Sequence, residues 1–140
     1  VHSGRVLARC TDRRTQDDLV GFMERVARAY PRGTVHVIWD NLNTHCAYGV
    51  WKAFNARHGG RFIFHFTPLH ASWVNQVELF FSILTRKVIR NGNFASRSDL
   101  VTKLMTFIDR YNTTARPFAW TYTGQPLTTG NTRETSARQH

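Results

Sequence analysis

Apolar positions along this chain switch repeatedly between strand-like and helix-like spacing. Val6, Leu7 and Ala8 follow a Ser-Gly pair within VHSGRVLARC (1–10), which predicts a strand leaving a turn. Thr15 is placed to cap a helix over about 16–30, with Leu19, Phe22, Met23, Val26 and Ala27 at helical spacing and Pro31-Arg32-Gly33 as the stop. TVHVIWD (34–40) is β-branched and almost wholly apolar, as expected of a strand buried on both faces. A second helix over about 45–58 carries Val50, Trp51 and Phe54 and ends at Gly59-Gly60. RFIFHFT (61–67) is a further strand closed by Pro68, and a long helix follows over about 74–90, stopped by Asn91-Gly92-Asn93. Ser96 caps a last helix to about Asn112, with Leu100, Leu104, Phe107, Ile108 and Tyr111 on one stripe. Strand and helix alternate three times, which favours an α/β fold with parallel strands.

Beyond Gly124 the composition turns polar, so 125–140 is expected to be a disordered tail. The remaining 1–124 has room for one modest core and no second domain. Lys and Arg number 19 against 9 Asp and Glu, giving a net charge of +10, more than solubility needs. Nucleic acid is the first partner this implies. Cys10 and Cys46 are too few for a disulfide framework, which fits a cytoplasmic, reducing setting. No apolar run reaches the roughly 18–20 residues of a membrane span. The chain begins without Met in a strand-like stretch, which leaves open that its start is a cut.

Two carboxylates occupy places where chemistry is common. Asp40 ends the most apolar strand, at the carboxyl edge where open α/β sheets place ligands, although with Asn41 it also reads as a simple Asx turn. Glu78 lies at the border of a stripe formed by Val74, Val77, Phe81, Leu84 and Val88; a solvated border position is the commoner outcome. Together they suit metal-assisted phosphoryl transfer, which needs clustered hard oxygen ligands for divalent cations. Such sites usually recruit a third carboxylate.

WDNLNTH (39–45) and FTPLHASWVNQVELFFSIL (66–84) together resemble the second and third motif blocks of mariner-type bacterial insertion-sequence transposases, of the DDE superfamily. FASRSDLVTKLMTFIDRYNTTARPFAWTYTG (94–124) is similar to their closing helix and Pro-Phe-x-Trp segment. The resemblance implies an RNase H-like (retroviral-integrase-like) fold, with Asp40 and Glu78 as catalytic Mg²⁺ or Mn²⁺ ligands beside an aspartate on the first strand. Ser3-Gly4-Arg5-Val6 resembles the family's turn into its third strand, so the fold is expected to be incomplete at the N-terminus, with the first two strands and first aspartate absent. Asp12, Asp17 and Asp18 do not match the missing position. The domain 1–124 is thus read as part of a catalytic domain that cleaves and joins DNA at transposon ends, inactive alone. The alternatives are a non-catalytic remnant that binds DNA, or one half of a split transposase whose N-terminal half arrives in trans. The implied partners are transposon-end and target DNA, and a second copy as homodimer; the implied location is the nucleoid.

His45 and His70 could position a phosphate or a water, or be loop residues bonded to backbone. Asn41, Asn43 and Asn75 are either DNA contacts or turn and cap residues. Arg86, Lys87 and Arg90 suit a helix C-terminus regardless of ligand, and could equally track a DNA backbone toward Arg97 and Lys103. Trp39, Trp51, Phe62, Phe64 and Phe66 are expected in the core, whereas Trp73 and Trp120 could stack on bases.

Overall fold

The computed structural model describes residues 3–67 and 77–117. The first helix, α1 (Gln16–Ala29), begins where the sequence places it. The Thr15 hydroxyl accepts from the Asp18 N–H while the Asp18 carboxylate accepts from the Thr15 N–H, so two of the helix's orphan donors are satisfied. That acceptor role holds the Asp18 carboxyl below its usual range. Gly33, at φ 77°, makes the reversal after the helix that a side chain would resist.

Strand β1 (Val35–Trp39) leads through α2 (Tyr48–Arg57) to β2 (Phe62–Phe66), which lies parallel to β1 with Val35 opposite Phe62 and Trp39 opposite Phe66. One face of this pair is the core: Trp39 and Phe62 are buried with Met23 and Ala27 of α1 and Trp51 and Phe54 of α2. Trp39 meets Trp51 edge-on at 4.5 Å, and Phe54 meets Phe62 at 5.0 Å. Val50, on the same helix as Trp51 and Phe54, is exposed.

The other face corrects the expectation of a strand buried on both sides. Ile38 is 51% exposed and Ile63 is also exposed, because among the described residues no helix covers that face. His36 and His65 lie there edge to edge in nearly parallel planes, with Nδ1 and Nε2 2.9 Å apart, so one ring donates a proton to the other. Phe66 departs from expectation as well and is half exposed at the strand end.

The expected strand at 6–8 is extended chain outside the sheet. Both its main-chain groups at Val6 are taken by one side chain, the Asn112 amide, at 2.7 and 2.8 Å. Gly4, at φ 67°, packs so tightly against the Arg116 main chain that a Cβ would collide with it. The described sheet therefore has two strands instead of three.

Helix α3 (Val77–Leu84) runs into a π-helical turn, Thr85–Ile89, closed by Arg90 N–H donating to the Thr85 carbonyl five residues back. The expected apolar stripe is rotated. Phe80 is the buried residue, against Tyr111, while Val77 and Phe81 are exposed, Phe81 at 53%. The last helix, α4 (Arg97–Thr113), starts at the predicted Ser96 cap and buries Ile108. The expected residues Pro68, Val74, Trp73 and Trp120, and the tail 125–140, lie outside the described residues.

Asn55 repeats the Asn112 arrangement on β2: its amide donates to the Phe62 carbonyl at 2.8 Å and accepts the Phe62 N–H at 2.9 Å. Asn55→Leu leaves both groups unpaired in a half-buried place, and a loss of about 2 kcal/mol is expected in urea unfolding; an unchanged midpoint would refute this role. A second expectation concerns acid. Burial pushes the Glu24 carboxyl up, but hydrogen bonds from His58 and Arg57 more than offset it, so the carboxyl stays below its usual range. Asp99 is held low in the same sense by Lys103. A carboxyl lowered in the folded state stabilises above the ordinary carboxylate range and stops doing so as pH falls through its lowered value. Stability should therefore drop below about pH 5, and Glu24→Gln should flatten that slope in urea melts taken across the range.

Candidate functional site

Asp40 follows β1 directly, at the carboxyl end of the strand, and is half-buried. The loop that follows folds back on it. His45 and Cys46 N–H groups both donate to the Leu42 carbonyl, at 2.8 and 3.0 Å, which brings the His45 ring over Trp39 with 4.8 Å between centroids. From there His45 Nδ1 is 2.6 Å from Asp40 Oδ1 and 3.1 Å from the Asp40 main-chain oxygen. Both neighbours are acceptors, so Nδ1 carries the proton and donates to them.

Asp40 Oδ1 also accepts the Leu42 N–H, at 3.4 Å, so the Asx turn read from the sequence is present. Oδ2 accepts no hydrogen bond among the described residues. The Asp40 side chain is 35% exposed and that of His45 is 16% exposed. The carboxylate is thus held by one oxygen and open at the other.

Two further bonds fix the loop. Asn41 Nδ2 donates to the Thr67 carbonyl at 2.8 Å, tying the end of β1 to the end of β2. Trp51 Nε1 donates to the Thr44 carbonyl at 3.2 Å, tying the loop to α2. One N–H of the Asn41 amide is therefore spent on structure, and Asn43 is exposed.

The loop forms a ridge between two cavities. On the β2 and α2 side lies an apolar groove of about 830 Å³ lined by Tyr48, Trp51, Phe64 and Phe66, with Lys52 and His45 at its polar margin. On the α1 side lies a smaller cleft of about 230 Å³, whose wall includes Leu42, Thr44 and His45 and whose opposite side carries Arg9, Arg13 and Arg14. Sequence reasoning missed these three arginines, because they are dispersed through a segment taken as strand and turn.

Glu78 is exposed in the first turn of α3, where a negative charge also suits the helix dipole. No hydrogen bond or ion pair joins it to the Asp40 loop among the described residues. Nor do three His, Cys, Asp or Glu side chains gather in a metal-holding cluster among those residues. Arg86, Lys87 and Arg90 are exposed on or after the π-helical turn, and Arg86 donates back to the Ser82 carbonyl. Arg97 and Lys103, expected to extend a cationic track, are engaged locally: Arg97 with Asp12 and the Thr11 carbonyl, Lys103 with Asp99 and the Asn93 carbonyl. His70 and Asn75 lie outside the described residues. Among the described residues no helix is long and apolar enough to cross a membrane.

No curated protein and no solved structure matches this chain. A family model described as DDE superfamily endonuclease matches residues 1–101, which include Asp40 and Glu78 and make up most of the 140-residue chain. A mixed α/β arrangement with a small parallel sheet and an acidic residue directly after its first strand is compatible with that match, and the chain belongs to the DDE superfamily of endonucleases.

Proposed function

We propose that residues 1–124 are part of the catalytic domain of a mariner-type insertion-sequence transposase with an RNase H-like fold, followed by a polar tail, and that it acts on DNA in the nucleoid. The observation that carries this reading is Asp40: a strand-end carboxylate with one oxygen fixed by His45 and the other open, in a chain of DDE endonuclease descent. Its hard oxygen donor suits Mg²⁺ or Mn²⁺ better than a soft or imidazole-preferring metal. Glu78 is the second carboxylate of the set. The cation, when bound, neutralises charge developing on the phosphate and lowers the pKa of the attacking water or 3′ hydroxyl.

The chain's own residues set the geometry. His45 holds Asp40 Oδ1, so the side chain presents Oδ2 in one orientation without an ordering cost at the moment of binding. Asn41 and Trp51 hold the loop that carries both.

The resemblance to DDE transposases implies a third carboxylate beside Asp40 and Glu78 to hold a two-cation clamp on a scissile phosphate. Asp12 pairs with Arg97 and Asp18 caps α1, so neither is free to serve. In a parallel ladder alternate residues face opposite edges; Val35 and Trp39 bond to β2, which leaves His36, Ile38 and Asp40 facing the outer edge of β1. That edge is unpaired among the described residues and would accept a strand bringing the third carboxylate, from an upstream segment or a second polypeptide, such as the other half of a split transposase.

Two expectations follow for residues 1–140. Mn²⁺ should broaden the amide NMR signals of residues 40–46 selectively, and Asp40→Asn should abolish this while leaving the fold intact; broadening that persists in the variant would remove Asp40 from the site. With Mg²⁺ or Mn²⁺ the chain alone should neither nick nor join duplex DNA carrying insertion-sequence ends. Cutting that Asp40→Asn abolishes would show that a residue within the chain already fills the third place.

A further inference from the structure

The cleft on the α1 side of the Asp40 loop has a composition unlike the rest of the surface. Arg9, Arg13 and Arg14 line it together with Thr11 and Thr15, and its far wall is Leu42, Thr44 and His45, the same loop that holds Asp40. None of the three guanidinium groups has an ion-pair partner or donates a hydrogen bond among the described residues, whereas Arg57, Arg61 and Arg97 are all engaged. The Arg9 guanidinium lies over α1 at Gly21, where a Cβ would come within 2.9 Å of it. The one acid in the cleft is Asp18, whose Oδ2 accepts from the Thr15 N–H and hydroxyl and whose charge attracts Arg9 and Arg13 without an ion pair among the described residues; Asp12 nearby is paired with Arg97. Three guanidinium groups against the single carboxylate of Asp18 leave a net positive recess one loop away from Asp40.

Guanidinium groups suit phosphate because their planar forks donate two parallel hydrogen bonds to its oxygens. A row of three at the side of a strand-end carboxylate matches a phosphodiester backbone better than a single small anion, which would need only one or two of them. We propose that this cleft binds the backbone of the DNA substrate and leads it to Asp40, with His45 at the junction of the two. The proposal rests on the reading of the chain as a DNA-acting endonuclease. It assigns the approach on the catalytic loop's side to Arg9, Arg13 and Arg14, separately from Arg86, Lys87 and Arg90 on the other helix pair.

The test is fluorescence anisotropy of the full 140-residue chain with a labelled 20-base-pair duplex over a series of salt concentrations. Each lost phosphate contact lowers the salt slope by roughly 0.9. The triple variant Arg9→Gln, Arg13→Gln, Arg14→Gln should therefore lower it by roughly 2–3 and weaken binding at every sequence. A charge-matched control, Arg28→Gln, Arg32→Gln, Arg110→Gln, removes three exposed cations outside the cleft and should change the slope by much less. Circular dichroism checks that each variant folds. Should the cleft triple fail to fold, Arg13→Gln with Arg14→Gln, which spares the Arg9 packing over α1, is compared with Arg28→Gln and Arg32→Gln in the same way. Equal losses from cleft and control variants would overturn the cleft while leaving DNA binding by overall charge intact. Absence of DNA binding by the unsubstituted chain would overturn the endonuclease reading and the cleft with it.

Discussion

The constraint on which the described structure turns is the need to satisfy main-chain N–H and C=O groups with only two paired strands. A parallel pair has two open edges, and each extended residue facing an edge carries a donor and an acceptor that burial would penalise. Side-chain amides take the place of absent neighbours. Asn55 closes the outer edge of β2 at Phe62, and Asn112 does the same for Val6, each with one donated and one accepted bond. An amide can do this because it alone among short side chains offers a donor and an acceptor in the spacing of a peptide group.

The same device, extended to the strand end, shapes the candidate site. Asn41 bonds to the Thr67 carbonyl and His45 to the Asp40 carbonyl, so one main-chain carbonyl at the end of each strand is satisfied by the loop that follows β1. His45 then reaches Asp40 Oδ1 from the same nitrogen. Structural closure and orientation of the carboxylate are one arrangement, and the Trp39 ring that supports His45 is itself part of the core. Loss of Trp39 packing would thus be felt at Asp40 without any contact between that ring and a substrate.

Much of this was legible in the sequence where the signal is local. The Thr15 and Ser96 caps sit one residue before their helices, and the stops at Gly33 and Gly59-Gly60 fall where the backbone takes positive φ. Asp40 and the resemblance carried by WDNLNTH were readable for the same reason, since a strand end and a short motif are contiguous. What failed depended on partners remote in sequence. An apolar run cannot report whether a second helix covers its far face, so the strand over 34–40 reads as buried on both sides although the face carrying Ile38 is open among the described residues. On α3 both Phe80 and Phe81 satisfy a helical stripe, and only Tyr111, thirty-one residues from Phe80, selects which one is buried. Val6 has strand character, yet its partner is a side chain on α4.

Charge was the most misleading of the global signals. A net charge of +10 says that polyanions are attracted, but it does not say where. Arg97 and Lys103, which continue a basic run in the sequence, spend their donors on Asp12, Asp99 and main-chain carbonyls. Arg9, Arg13 and Arg14 look unremarkable in the sequence, yet the fold sets them together beside the loop of Asp40, where they outnumber the one carboxylate of the cleft, Asp18, and form no ion pair among the described residues. An arginine available to a phosphate is one that the fold has left without a carboxylate. That makes pairing within the folded chain, and not the count of basic residues, the quantity that locates a nucleic-acid path.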